Sequence, residues 1–138
     1  MRVFIDTNVL VDMMVRERPS YPASRSILRA AEESRITLVF TGLTLVNALY
    51  AIRKAAFSRK ELRAILDVLL SISDIASTDM PQLQAALDSD WSDFEDAVQY
   101  QAALSAGRVE AIVTSDAKGF KGSRIPVVTP EEFLERLL

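Results

Sequence analysis

Neither cysteine nor histidine occurs among the 138 residues. Their absence excludes thiolate or imidazole zinc sites, cysteine nucleophiles, Ser-His-Asp triads, haem and iron–sulfur ligation, and any histidine general base. Chemistry is left to carboxylates, hydroxyls, amides, Lys and Arg. Glycine (4) and proline (5) are scarce, and no Gly/Ser/Pro-rich tract, low-complexity run or internal repeat marks a linker. Residues 1–138 are therefore expected to form one domain, large enough at 49% hydrophobic residues to fold without disulfides or a structural metal. The uncharged run Ile36 to Ile52 falls short of the ~20 residues a spanning helix needs. It also carries Thr37, Thr41, Gly42, Thr44 and Asn47, so it reads as a strand, a turn and a buried helix rather than a membrane segment. The N-terminus has an acid at Asp6 and no long apolar stretch of the secretory kind, and with the lack of cysteine this points to the cytoplasm.

Cations are missing from the middle of the chain. Residues 64–107 hold 8 acids and no Lys or Arg, whereas residues 1–63 hold 11 cations against 6 acids and residues 108–138 hold 5 of each. The net charge of -3 conceals this asymmetry. Carboxylates in such a segment must face solvent, basic groups from elsewhere in the fold, or a bound cation.

Short apolar runs alternate with helical patterns. Val3 to Ile5 reads as a strand, followed by a helix from Asn8 to Val15 capped by Asp6 or Thr7. Pro19 and Pro22 open a second helix, Ile36 to Phe40 is the next strand, and helices follow at about Leu43 to Ala56 and Arg59 to Leu70. Ser73 to Ser77 is a weaker strand and Pro81 to Leu87 a short helix. Ser92-Asp93-Phe94-Glu95 has a capping-box pattern for a helix reaching Ala106, with Gly107 at its stop and Glu95 turned away as the box partner. Ala111 to Val113 and Val127-Val128 are strands, and Pro130-Glu131-Glu132 begins the last helix. This alternation predicts an α/β fold with a central parallel sheet flanked by helices.

Ligand crevices in such sheets lie beyond the carboxyl ends of the strands. Asp6 follows the first strand directly, and Asp116 follows Ala111-Ile112-Val113 after Thr114-Ser115. Read singly, each serves equally well as a helix cap or turn residue. Asp93 and Asp96, three apart at the start of a helix, share a face with Tyr100, Ala103 and Leu104, an apolar setting in which a carboxylate is costly unless paired or metal-bound. Acids gathered at strand ends without histidine make a hard-oxygen site suited to Mg²⁺ or Mn²⁺, and such ions act on phosphates. Phosphate contacts could come from Arg53, Lys54, Arg59, Lys60 and Arg63, or from Lys118, Lys121 and Arg124 after the Asp116 loop; exposed basic side chains equally well serve solubility.

These residues together resemble the PIN domain family, which includes VapC-type toxins and other metal-dependent nucleases. Val3-Phe4-Ile5-Asp6-Thr7-Asn8-Val9-Leu10 is similar to its first acidic motif. Ser92-Asp93-Phe94-Glu95-Asp96-Ala97 followed by Ala102-Ala103 resembles the third, with Asp96 in the family acid's place, and Ile112-Val113-Thr114-Ser115-Asp116 followed by Phe120 resembles the fourth. The resemblance spans essentially the whole chain and implies a PIN-like fold, Mg²⁺- or Mn²⁺-dependent cleavage of RNA, frequent homodimers and, in the toxin branch, a cognate antitoxin. It implies metal ligation by Asp6, Asp96 and Asp116 with help from Asp93, and orienting roles for Asn47 and Thr114 beside Thr7 and Asn8. Two positions depart from the pattern: Asn47 stands where the family's second acid usually lies, and Gly119 where many members carry a further Asp. The neutral Asn47 keeps open a second reading, a module that binds RNA or protein with weak or no cleavage. A haloacid-dehalogenase-type phosphatase needs a second Asp where this chain has Asn8.

Overall fold

A computed structural model describes all of residues 1–138. The elements in chain order are β1 (Arg2–Ile5), α1 (Thr7–Met14), α2 (Tyr21–Glu32), β2 (Thr37–Thr41), α3 (Gly42–Ala51), α4 (Arg59–Ser71), β3 (Ser73–Ala76), α5 (Met80–Asp88), α6 (Phe94–Ser105), β4 (Ala111–Val113), β5 (Val127–Val128) and α7 (Pro130–Arg136). A 3₁₀ turn, Ala117–Phe120, lies between β4 and β5. The five strands form one sheet in the order β3-β2-β1-β4-β5, and every neighbouring pair is parallel. The expected parallel α/β architecture is the one observed.

Side chains on successive strand residues point to opposite faces, so a strand buried throughout feeds two cores. Val3 and Ile5 of β1, Leu38 and Phe40 of β2, and Ala111 and Val113 of β4 pack with Leu10, Met13, Ile27, Ala48 and Phe133 on one face. Phe4, Val39 and Ile112 pack on the other against Tyr100, Ala102 and Ala103 of α6 and Phe120 of the 3₁₀ turn. Each large apolar side chain removed completely from water contributes roughly 1.5–3 kcal/mol. Phe4, Phe40, Phe120 and Phe133, each no more than 2% exposed, therefore anchor both layers. The edge strand β3 exposes Asp74 and Ile75, in keeping with its weak strand pattern. No helix is long and apolar enough to cross a membrane.

Two helix ends differ from the sequence reading. The third helix stops at Ala51 rather than Ala56, because the chain must turn to present Ser58 as the cap of α4, where Ser58 and Glu61 form a reciprocal capping box. The sixth helix is capped by Asp93, not Ser92: its Oδ1 accepts the Asp96 N–H at 2.9 Å. A charged acceptor suits the positive end of a helix better than a hydroxyl does. Helix α6 then ends as expected, with Gly107 at φ 86°, a conformation that favours glycine.

The strand order places the site. The chain steps from β1 to β2 to β3 in one direction and returns to β4 and β5 on the other side of β1. The carboxyl ends of β1 and β4 thus flank the point where the winding reverses, and a crevice opens there.

Candidate active site

Asp6 leaves β1 at that reversal. Its N–H donates to the Val113 carbonyl of β4 at 3.0 Å, the last rung of the ladder, and its side chain then caps α1, Oδ1 accepting the Thr7 N–H at 2.8 Å. The fully buried Thr114, one residue past β4, donates its hydroxyl to the other oxygen, Asp6 Oδ2, at 2.8 Å. The same hydroxyl oxygen accepts the Asp116 N–H at 3.0 Å. One threonine therefore fixes the Asp6 carboxylate and the backbone that carries Asp116.

These groups border a cleft of about 340 Å³ with no hydrophobic residue in its lining. Asp6, Thr7 and Asn8 come from the β1–α1 junction, Asn47 from α3, Asp93, Glu95 and Asp96 from the start of α6, and Asp116 from the loop after β4. Asp6, Asn47, Asp96 and Asp116, distant in sequence, thus share one cleft. Glu95 lines it too, contrary to the expectation that it turns away: with Asp93 as the cap, no capping box draws Glu95 back along the helix. Its spacing from Asp96 gave no signal of this, because the choice between two adjacent caps decides the helix register.

Burial raises the pKa of Asp6 above the usual carboxylate value; the hydrogen bonds from Thr114 and Thr7 oppose the rise, and the charge of Asp116 adds to it. Asp96 is pushed up to about 6, first by burial, then by repulsion from Asp93, Asp6, Glu95 and Asp116, with no hydrogen bond to offset them. Such crowding of acids favours either protonation or a cation. Aspartate oxygens with an amide carbonyl at Asn47 are the hard donors that Mg²⁺ or Mn²⁺ takes, so the residues fit such an ion in kind. As the side chains lie, no three acids stand together as a ready cage.

None of the basic candidates lines the cleft. Arg53 stacks on Tyr50 with its guanidinium 3.8 Å from the ring centre and donates to the Tyr50 carbonyl at 2.8 Å. Arg63 pairs with Asp67 at 3.3 Å within α4. Lys54, Arg59 and Lys60 are exposed near them, and Lys118 and Lys121 are exposed on and beside the turn that follows Asp116. A second, larger hollow of about 650 Å³ lies apart from the acids, an apolar groove bordered by Met13, Leu28, Phe57 and Ile65.

What holds α6 to the sheet leaves no local mark in the sequence. Thr41, the cap of α3, donates to Gln99 Oε1 of α6 at 3.2 Å in the buried interior, tying the helix that carries Asn47 to the helix that carries Asp96. Trp91 stacks on Tyr100 with ring centres 4.6 Å apart and meets Phe120 edge-on at 5.9 Å, packing the 3₁₀ turn against α6.

This constellation, acids from two strand ends and a helix start around the winding reversal of a parallel sheet, is that of an α/β protein with an acidic ligand crevice. The chain is a member of the PIN domain family, whose sequence model matches residues 2–118. It is 29% identical to Ribonuclease VapC1 of Aquifex aeolicus, across 98% of this chain and 94% of that protein. Its fold is similar to that of VapC20 of Mycobacterium tuberculosis, a Sarcin-Ricin loop cleaving toxin (TM-score 0.66, 11% identity, 88% of this chain and 95% of that one). FitAcB from Neisseria gonorrhoeae (TM-score 0.65, 14% identity, 94% and 98%) and VapBC2 from Rickettsia felis, bound to a DNA fragment from their promoter (0.60, 16%, 93% and 97%), share the fold as well.

Proposed function

We propose that residues 1–138 act as one unit, a Mg²⁺- or Mn²⁺-dependent endoribonuclease and the toxin of a toxin–antitoxin pair, working in the cytoplasm as a homodimer. The observation that carries this reading is the all-polar cleft in which Asp6, Asp96 and Asp116 meet with Asn47 at the sheet's winding reversal. Kinship with a VapC ribonuclease supports the activity, and the complexes among proteins of like fold support an antitoxin partner.

Asp6, Asp96 and Asp116 would hold the cation, with Asp93 and the Asn47 carbonyl beside them. When bound, such an ion supplies a water of lowered pKa and neutralises charge on a phosphodiester. The chain's own part is orientation. Thr114 aims Asp6 and favours its ionised form by donating to Oδ2, while the Thr7 N–H holds Oδ1. Asp96, its pKa raised by burial and by the neighbouring acids, is the carboxylate whose ionised form a bound cation would favour most. The exposed Lys118 and Lys121 beside the Asp116 turn, with Arg53, Lys54, Arg59, Lys60 and Arg63 farther off, would hold the RNA backbone.

The neutral Asn47 in the cleft favours a second reading, a PIN module that binds RNA or a protein partner without efficient cleavage. One experiment separates the two. Mixed RNA substrates are incubated with purified protein and Mn²⁺, with and without chelator, beside Asp6→Asn and Asp116→Asn. Cleavage that disappears in chelator and in both variants supports the nuclease; RNA binding without cleavage in the wild type favours the module. Cleavage that persists in Asp6→Asn defeats the assignment.

A further inference from the structure

Gly119 sits in the 3₁₀ turn three residues after Asp116, and its backbone has no need of glycine, since its φ lies outside the positive range. What requires glycine there is a side chain from another element. A Cβ on residue 119 would lie 2.5 Å from Asp96 Oδ2 and 3.1 Å from Asp96 Cγ, far inside contact distance. The Asp96 carboxylate therefore occupies the space that any other residue at 119 would fill.

The turn cannot readily retreat to make room. Phe120, next in the chain, is 2% exposed and packed under Trp91, which is itself stacked on Tyr100 of α6. The flexible partner is the Asp96 side chain, whose carboxylate accepts no hydrogen bond that would fix it. Lying against Gly119, it does not close with Asp6 and Asp116 into a three-acid cage.

We propose that Gly119 is a positioning residue for cation binding: its bare Cα gives the Asp96 carboxylate a resting place on the turn at the cleft wall, and Asp96 must swing off Gly119 toward Asp6 and Asp116 to ligate. The device makes cation binding a choice between two Asp96 rotamers. It rests on the reading of Asp96 as a cation ligand. A Cβ at 119 closes the resting place and leaves the arrangement turned toward Asp6 and Asp116, so the binding-competent form no longer has to be selected from a minor population. If the resting rotamer holds about nine-tenths of the metal-free protein, the apparent Mn²⁺ affinity rises about tenfold on removing it.

The test is a double-mutant cycle with Gly119→Ala, Asp96→Ala and the pair, each melted in chelator, together with Mn²⁺ titrations of wild type and Gly119→Ala followed by electron paramagnetic resonance. Alanine at a compatible backbone position ordinarily raises stability by restricting the unfolded chain. Gly119→Ala is expected to lower the melting temperature when Asp96 is present and to leave it equal or higher when Asp96 is Ala, a coupling that unlinked sites do not show. Its Mn²⁺ dissociation constant should fall about tenfold. If the single variant fails to fold and the pair folds, the Asp96 contact is the cause and the proposal stands; failure of both overturns it. Equal melting shifts in the two backgrounds, or an unchanged or weaker Mn²⁺ affinity with wild-type binding intact, also overturn it. A wild type that binds no Mn²⁺ defeats the ligand reading and this proposal with it.

Discussion

Thr114 and Asp6, each one residue past the end of adjacent strands, are joined by a 2.8 Å hydrogen bond in which the buried hydroxyl donates to the carboxylate while its oxygen accepts the Asp116 N–H. A valine of the same shape breaks both links at once. Thr114→Val should cost about 1–3 kcal/mol of stability, the range for leaving buried partners unsatisfied. Asp6, deprived of a donor that lowers its pKa, should titrate at a higher pH, moving the acidic limb of any cleavage profile upward. Thr114→Ser should restore both the profile and most of the stability. A valine variant with wild-type melting and an unmoved profile would show that the hydroxyl orients nothing.

The raised pKa of Asp96 fixes the sign of a pH effect. A carboxyl that holds its proton more tightly when folded than when unfolded stabilises the fold below its unfolded pKa, and that contribution is lost as pH rises through the folded value of about 6. In chelator, Asp96→Asn should therefore gain in melting temperature relative to wild type between pH 4 and 7, the advantage levelling off above the folded pKa. Melting curves of the two proteins across that range test it. A constant difference would mean that neither burial nor the neighbouring acids act on Asp96.

Cation binding should reverse the cost of that crowding. A ligand bound only by the native state stabilises it by RT ln(1 + [L]/Kd), about 2.7 kcal/mol at a hundredfold excess over Kd. Millimolar Mn²⁺ should raise the melting temperature, more at pH 7 than at pH 5 because ligating acids must lose their protons. Asp96→Asn should blunt the rise. A melting curve indifferent to Mn²⁺ would count heavily against the metal site.

Much of this arrangement is legible in the sequence because the signals are local. Asp6 stands directly after an apolar strand run and Asp116 three residues after another, and in a parallel sheet such positions fall at the ligand edge whatever the rest of the fold does. Contacts between distant segments left no such trace. Nothing near Gly119 announces that Asp96 lies against it, and the Thr41–Gln99 link joins two helices whose packing only the sheet order decides. The start of α6 was ambiguous for a different reason: Ser92 and Asp93 are both good caps, and the choice of Asp93 is what brought Glu95 to the cleft.

The basic residues divide into two groups that salt should separate from chemistry. Charge reversal of Lys118 and Lys121, beside the Asp116 turn, or of Arg59, Lys60 and Arg63 on α4 should weaken RNA binding and flatten its dependence on salt, since fewer counterions are released. Asp116→Asn should leave RNA affinity intact or improve it by removing a repelling charge. Filter-binding or anisotropy titrations at several salt concentrations give both slopes. If neither reversal changes the slope, the RNA path lies elsewhere.

Asn47 is the position at which the two functional readings part. It lines the cleft with Asp6, Asp96 and Asp116 and offers a neutral amide among their carboxylates. In metal-free protein a glutamate there adds a charge to a cluster that already raises the pKa values of Asp6 and Asp96, so Asn47→Glu should melt below wild type in chelator. With a cation present the same group becomes an anionic oxygen ligand, so the Mn²⁺-induced rise should be larger than in wild type and cleavage as fast or faster. Asn47→Ala removes the amide oxygen without adding charge and should weaken Mn²⁺ binding modestly. If Asn47→Glu creates cleavage where wild type has none, the natural protein is a non-cleaving PIN module whose remaining acids still suffice for a cation. If both substitutions leave the Mn²⁺ response and the cleavage rate unchanged, residue 47 borders the cleft without reaching the ion, and the chemistry rests on Asp6, Asp96 and Asp116 alone.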